Sequence, residues 1–137
     1  CLNDKLIYIY DETLMKKFFA DCKLLLSKEG TLVLQLYNYD LYKNENTFKL
    51  PNRESIRSKI MESIAKTENN GYVINQNLEN SSEKIIPLLQ RQRVLPISTE
   101  KIKEFAQDAG FSSINFYEDY TQKPFTPESK TVVCVIS

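Results

Sequence analysis

Hydrophobic and polar positions in residues 11–27 follow the period of an amphipathic helix. Apolar side chains recur three and four positions apart, which places them on one helical face. Asp11 is suited to cap the first turn, and Gly30 is expected to close the helix in the left-handed conformation. The predicted apolar stripe consists of Leu14, Phe18, Cys22 and Leu25, with Met15, Phe19 and Leu26 beside them.

Farther along the chain, the pattern predicts one more helix and three strands of an α/β fold. The helix covers residues 99–109, where Ser98 is expected to cap the first turn and Gly110 to follow the last. The nearly continuous apolar run at residues 31–37 is typical of a strand buried on both faces in the middle of a parallel sheet. The other strands are predicted at residues 112–117 and 131–136, with loops at 38–51 and 118–130.

Residues 54–97 carry a third pattern, which predicts an antiparallel insertion. Turn sequences rich in Asn, Ser and Gly separate segments with many β-branched residues. We therefore expect a three-stranded meander that is about half exposed. A helix over residues 54–66 is the alternative, because Ile56, Ile60 and Ile64 lie four positions apart. The predicted strands are residues 55–66, 72–77 and 84–97.

The composition narrows the possible functions of a chain whose 137 residues suffice for one domain. Lys plus Arg and Asp plus Glu number 18 each, so the formal net charge is zero. Proteins that coat nucleic acid or anionic membranes need surplus positive charge, so we expect neither partner. Because the chain has no histidine, Ser-His, Cys-His and imidazole-metal chemistry are excluded within it, and no metal site is predicted.

The three cysteines are too few and too scattered for a disulfide framework or a zinc site. Cys22 lies in the predicted apolar stripe and Cys134 in a predicted buried strand, so both are interpreted as small core residues in a reducing compartment. No apolar run approaches the ~18 residues of a membrane span, and no signal segment is recognisable. These features predict a cytoplasmic protein.

Three short motifs occur in the order and spacing of one enzyme family. Residues 26–30, L-S-K-E-G, stand where that family has L-K-P-G-G between a helix and its fifth strand. Residues 108–111, D-A-G-F, match its E-A-G-F turn, and residues 123–130, K-P-F-T-P-E-S-K, are close to its S-P-F-D-P-E-S-S loop. The chain resembles the C-terminal half of the Rossmann-like, S-adenosylmethionine-dependent methyltransferases, in particular their glycine-N-methyltransferase-like small-molecule branch.

This resemblance implies the C-terminal part of a seven-stranded α/β sheet with an antiparallel β insertion, in one partial domain over residues 1–137. It implies methyl transfer to a small molecule, with S-adenosylmethionine as the cofactor of the parent protein. The glycine-rich loop and the ribose-binding acid of the family have no counterpart, since Gly30, Gly71 and Gly110 are all assigned to turns or helix ends. We therefore expect a fragment that neither binds the cofactor well nor turns over by itself.

The resemblance suggests substrate-binding residues but assigns no catalytic residue. Asn3 and Asp4 occupy a stretch that lies near the methyl-transfer site in the family; a plain polar turn is the alternative. Asn38 and Tyr39 follow the first predicted strand at its C-terminal end, where ligands bind in open α/β sheets, or they begin a solvated loop. Arg53 resembles a family arginine and is suited to pair with a carboxylate substrate; a surface salt bridge is the alternative.

Two functions without catalysis stay open. One is a stand-alone α+β domain that binds a small ligand, which an enclosed pocket would favour. The other is self-association, because a truncated parallel sheet leaves one edge of the strand at residues 31–37 without a partner. Such an edge recruits a second copy of the chain, so a homodimer would favour this function.

Overall fold

A computed structural model describes all 137 residues as two compact units, residues 1–43 with 95–137, and residues 44–94. The helices are α1 (Glu12–Leu25) and α2 (Thr99–Asp108), both in the first unit. Neither is long and apolar enough to cross a lipid bilayer. The strands are β1 (Leu32–Tyr37), β2 (Thr47–Lys49), β3 (Arg53–Glu54), β4 (Ser58–Lys66), β5 (Tyr72–Asn80), β6 (Ile85–Val94), β7 (Ile114–Tyr117) and β8 (Thr131–Ile136).

The first unit contains a three-stranded sheet in the order β1-β8-β7. Both β1 and β7 pair with β8 in the antiparallel sense, so β1 and β7 run parallel to each other. The last strand in sequence therefore lies between two earlier strands. The prediction that the segments before and after the insertion share one open sheet is confirmed.

The prediction that β1 lies inside a parallel sheet, buried on both faces, is wrong. Its paired neighbour β8 is antiparallel, and its burial alternates, with Leu34 and Leu36 fully buried between half-buried residues. Residues 1–4 run along its other edge, where the Gln35 N–H donates to the Cys1 carbonyl at 2.9 Å and the Asp4 N–H donates to the Gln35 carbonyl at 3.1 Å. This part of the edge, which the sequence predicted to be without a partner, is therefore hydrogen-bonded.

Helix α1 begins as predicted but ends earlier. The Asp11 carboxylate accepts from the backbone N–H groups of Thr13 and Leu14 at 2.9 and 3.1 Å, which confirms the cap. The helix ends where Leu26 turns extended, and Gly30 does not adopt the left-handed conformation. Gly30 is instead a point of close approach, because a Cβ built there would lie 3.0 Å from the Leu26 Cβ.

The buried stripe of α1 is rotated by one residue from the predicted one. Met15 and Phe19 are fully buried, whereas Leu14 is 49% and Leu25 86% exposed. The cause is the packing against α2, because the Phe19 ring lies 6.0 Å from the ring of Phe105. Burying an aromatic side chain stabilises the fold by about 2–3 kcal/mol, so this contact sets which face turns inward.

Helix α2 matches its prediction closely. The Ser98 hydroxyl accepts from the Lys101 N–H at 3.2 Å and caps the first turn. Gly110 follows the helix with a φ of 86°, in the left-handed region that favours glycine. The buried face consists of Ile102, Phe105 and Ala106.

The second unit is a five-stranded antiparallel sheet in the order β2-β4-β5-β6, with β3 on β4. The predicted meander is confirmed, and the alternative helix over residues 54–66 is wrong. Ile60 and Ile64 lie on one face of β4, where they pair with Leu78 and Ile74. Residues four positions apart share a face in a strand as well as in a helix, so their spacing is compatible with both. The predicted loop at 38–51 is wrong in part, since it contains β2.

Candidate functional site

A polar cluster in the first unit lies at the C-terminal end of β1. The Asp4 carboxylate, only 8% exposed, accepts from the Tyr37 backbone N–H at 3.2 Å and from the Tyr39 hydroxyl. Asp4 and its neighbour Asn3 both have left-handed backbones, with φ of 59° and 56°. Asn and Asp tolerate this conformation best among residues with a side chain, and such strained positions concentrate at functional sites.

Asn38 is almost completely enclosed, with 1% of its surface exposed. Its amide nitrogen donates to the carbonyls of Ser129 and Pro127 at 2.8 and 3.2 Å, and its amide oxygen accepts from the Asp40 N–H at 3.2 Å. The side chain therefore fixes the loop before β8 against the segment after β1. Any influence of Asn38 on a ligand passes through this positioning.

Asp40 anchors the same segment on its other side. Its carboxylate accepts from the Thr99 N–H at 3.1 Å and from the Thr99 hydroxyl at 2.7 Å, at the first residue of α2. A negative charge is favourable at a helix N-terminus, so the contact stabilises both elements. Sequence analysis missed this residue because the two partners are 59 positions apart.

Asn3 is exposed, and its backbone N–H donates to the Gln35 side-chain oxygen at 2.7 Å. Its own side-chain amide makes no hydrogen bond. The structure thus brings Asn3, Asp4, Asn38 and Tyr39 together in one unit. Asn3 presents an open amide, while Asp4 and Asn38 are held in hydrogen bonds.

The second unit holds Arg53 in a separate polar cluster that spans three strands. The Arg53 Nη2 lies 2.9 Å from the Glu62 Oε1, and the Gln76 amide nitrogen donates to the same oxygen at 2.6 Å. Glu62 and Gln76 are directly opposite each other on β4 and β5. Glu62 is 8% exposed, so the ion pair of Arg53 is made with a buried acid.

Sequence analysis missed Glu62 and Gln76, although a signal was present. Glu62 lies between Ile60 and Ile64 in the alternating pattern of β4, at a position whose side chain shares their face. A carboxylate on the inward face of a strand needs a buried partner. Arg53 is that partner, and its strand β3 was not predicted.

The prediction that two cysteines lie in the core is confirmed for Cys134 and wrong for Cys22, which is only half-buried. Cys134 is fully buried, and burial raises the pKa of its thiol to about 12. Burial also raises the pKa of Cys22, which is half-buried. Both side chains therefore stay protonated near neutral pH and act as apolar packing groups.

The sequence matches no protein-family model and no curated protein, so the comparison rests on solved structures. The chain is similar to the CcbJ methyltransferase of Streptomyces caelestis, with a TM-score of 0.77 and 14% identity over 98% of this chain and 54% of that one. An S-adenosylmethionine-dependent methyltransferase of Clostridium acetobutylicum gives a TM-score of 0.70 and 14% identity over 100% of this chain and 56% of that one. The sugar N-methyltransferase KedS8 of a Streptoalloteichus species gives a TM-score of 0.53 and 13% identity over 98% of this chain and 53% of that one.

The chain therefore has the fold of S-adenosylmethionine-dependent methyltransferases, as its motifs predicted. It spans about half the length of the solved structures that it matches. Together with the strand order β1-β8-β7, this agrees with the predicted C-terminal half of that fold. Sequence identities of 13 and 14% establish only that the fold is shared.

Proposed function

We propose that this chain is the substrate-side, C-terminal portion of a small-molecule methyltransferase. The observation that carries the proposal is the strand order, in which the antiparallel β8 separates the parallel strands β1 and β7, within a fold shared with methyltransferases. In open α/β sheets, ligands bind outside the C-terminal ends of the strands. The cluster of Asp4 and Tyr39 lies at that end of β1.

The residues of this chain do not form a cradle for S-adenosylmethionine. Such a cradle needs glycines that let the backbone approach the cofactor. Gly110 and Gly71 lie in a helix end and a turn, and Gly30 packs against the Leu26 side chain. The cofactor is therefore proposed to bind only to the parent protein, and no step of the reaction is assigned to a cofactor contact here.

The proposed task of the first-unit cluster is to bind and orient the methyl acceptor. Tyr39 is only 5% exposed and its hydroxyl donates to the Asp4 carboxylate, so Tyr39 is proposed to shape the acceptor site together with Asp4. Asp4 fixes that hydroxyl, and Asn3 offers an amide at the surface. Asn38 contributes by positioning. For the second unit, taken by itself, Arg53 is proposed to bind a carboxylate.

The exposed leucines of α1 fit the same proposal. Leu24 and Leu25 are 84% and 86% exposed, and Leu14 lies on the same helix with half of its surface in water. Clustered apolar side chains at a surface mark an interaction site. We propose that the remaining half of the parent covers them, and that the isolated chain pairs with a second copy.

Calorimetry with S-adenosylmethionine tests the proposed function. The 137-residue chain is expected to show no saturable binding, and a version extended to the full fold of its structural neighbours is expected to bind. Tight binding by the 137-residue chain would contradict the proposal. Failure of the extended version to bind would contradict it equally.

A further inference from the structure

The turn between β4 and β5 contains an asparagine followed directly by glycine, a pair that occurs nowhere else in the chain. Both residues, Asn70 and Gly71, are exposed. In such a pair the backbone nitrogen of the glycine can attack the side-chain amide of the asparagine, because glycine has no Cβ that shields its nitrogen. Of all asparagines in this chain, Asn70 is therefore the one whose sequence best suits intramolecular deamidation.

The turn is closed by hydrogen bonds that all involve Thr67. The Thr67 N–H donates to the Gly71 carbonyl at 2.8 Å, and the Thr67 carbonyl accepts from the Asn70 N–H at 3.1 Å. The Thr67 hydroxyl oxygen accepts from the Gly71 N–H, also at 3.1 Å. This pattern is that of the common hairpin loop in which a left-handed residue follows a tight turn, and Asn70, with a φ of 58°, is the left-handed residue.

The closed turn keeps the two reacting groups apart. In the left-handed region, the ψ of a residue with a side chain is about +30 to +60°. At that ψ the Gly71 nitrogen lies nearly opposite the Asn70 Cβ across the Cα–C bond, whereas ring closure requires both on the same side. The Thr67 hydroxyl also engages the N–H of the nitrogen that would attack. Deamidation therefore has to wait until the turn opens.

We propose that Asn70 is a deamidation site and that the Thr67 hydroxyl sets its rate by holding the turn closed. In the opened turn, the Gly71 nitrogen gives its proton to solvent and forms a bond to the Asn70 Cγ, and the side-chain nitrogen takes up a proton and leaves as ammonia. Water then opens the cyclic imide at either carbonyl and yields aspartate or isoaspartate, with no oxidant or reductant. Thr67 is a positioning residue. The site belongs to the second unit alone and does not rest on the proposed function.

The reaction would change the hairpin in two ways. Both products add a negative charge to a loop that already contains the exposed Glu68. Isoaspartate also carries the main chain through its side-chain carbon, which lengthens the backbone of the loop by one methylene. The hydrogen bonds of Thr67 fit the present loop length, so we expect the pair Lys66–Tyr72 beside the turn to open, while the rest of β4 and β5 keeps its register.

The measurement is peptide mass spectrometry of the complete 137-residue chain during incubation at pH 8, because the exchange of amide for acid raises the mass of the peptide that contains Asn70. Electron-transfer fragmentation distinguishes isoaspartate from aspartate. Asn70 is expected to react before every other asparagine. Asn80, in the turn after β5, is the internal comparison, since its side-chain oxygen is held by the N–H groups of Ser82 and Lys84.

Two variants of Thr67 isolate the effect of its hydroxyl. Thr67→Ala removes the acceptor of the Gly71 N–H and should accelerate the reaction at Asn70 about fivefold, the factor that corresponds to one typical hydrogen bond. Thr67→Ser keeps a hydroxyl at this position and should react at nearly the wild-type rate. Gly71→Ala should slow the reaction, because the added Cβ shields the nitrogen and the φ of Gly71 is not positive.

Four results would overturn the proposal. The first is no reaction at Asn70 in the folded chain, or an earlier reaction at another asparagine. The second and third are a rate for Thr67→Ala equal to that of the wild type, and a rate for Thr67→Ser equal to that of Thr67→Ala. The fourth is an equal rate at Asn70 in the folded wild type and in the wild type unfolded in urea. This last comparison needs no substitution, so it decides even where a variant fails to fold.

Discussion

The Tyr39 hydroxyl donates a hydrogen bond to the Asp4 carboxylate, and so joins the segment after β1 to the residues that precede α1. The same carboxylate accepts from the backbone N–H of Tyr37 at 3.2 Å. The buried Asp4 carboxylate therefore holds both Tyr37, at the end of β1, and Tyr39, just after it. This contact determines where the Tyr39 oxygen lies.

Replacing Tyr39 by Phe should destabilise the chain by about 1.5–3 kcal/mol, because hydrogen bonds to buried charged groups contribute that much. The free energy of unfolding in urea measures the loss. Tyr120→Phe is the matched control, since Tyr120 is 62% exposed and should change stability by less than about 0.5 kcal/mol. Equal effects of the two substitutions would contradict a buried role for the Tyr39 hydroxyl.

Asp40→Ala should cost about 1–2 kcal/mol, since it removes the acceptor for both Thr99 groups at the start of α2. Asp21→Ala serves for comparison, because Asp21 makes only an exposed ion pair with Lys17. That pair contributes about 0.3–0.5 kcal/mol. Urea unfolding followed by circular dichroism measures both, and the prediction is wrong if Asp40→Ala is as mild as Asp21→Ala.

Gly30→Ala should destabilise the chain by about 1–3 kcal/mol through overpacking, because the added Cβ would lie 3.0 Å from Leu26 and from the Ser27 carbonyl. At Gly71 the only close atom is the Thr67 hydroxyl oxygen at 3.2 Å, which belongs to a side chain. Gly71→Ala should therefore be milder. Thermal unfolding of the two variants compares them, and the reverse order would refute the contact-based role of Gly30.

The isolated chain should self-associate through α1, and Leu25→Lys should shift it towards the monomer. The reason is that Leu25 is 86% exposed next to Leu24, which is 84% exposed, and a charge at Leu25 opposes its burial between copies. Light scattering over a range of concentrations gives the mass. Gln107→Lys at an exposed position of α2 adds the same single positive charge and serves as the control. A wild-type monomer at all concentrations would contradict the prediction.

At pH 8, a thiol reagent should modify Cys1 rapidly and Cys134 only on global unfolding. The thiolate is the reactive form, and burial raises the pKa of Cys134 to about 12, so almost none is present in the folded chain. Because unfolding lowers this pKa towards 9.0, the stability that Cys134 contributes is complete below that pH and falls as the pH rises towards 12. Mass spectrometry of the labelled chain reports the order, and early labelling of Cys134 would contradict its burial.

Local chemistry was sufficient to predict the helices and the meander. Asp11, Ser98 and Gly110 act within one helical turn of their own positions, so the caps could be predicted without knowledge of the fold. The end of α1 was predicted too late, although the contacts at this end are local as well. It depends on Leu26 and on the close approach at Gly30, which spacing alone does not reveal.

Contacts between distant segments escaped prediction. An apolar run identifies β1 as a strand, but its partner β8 lies about a hundred residues later. The continuous run, which is typical of parallel sheets, indicated the wrong sense of pairing. The partner of Arg53 was missed for a similar reason. Glu62 was visible as an acid at an inward position of β4, whereas β3, which brings Arg53 beside it, has only two residues.

The double anchoring of the segment after β1 has a consequence for the thermodynamics of recognition. Asn38 fastens that segment to the loop before β8, and Asp40 fastens it to the first residue of α2. A molecule that docks beside the segment between these anchors meets a surface that is already shaped. Docking therefore costs little ordering entropy, and most of the favourable enthalpy of the contacts contributes to the binding free energy even for a small ligand.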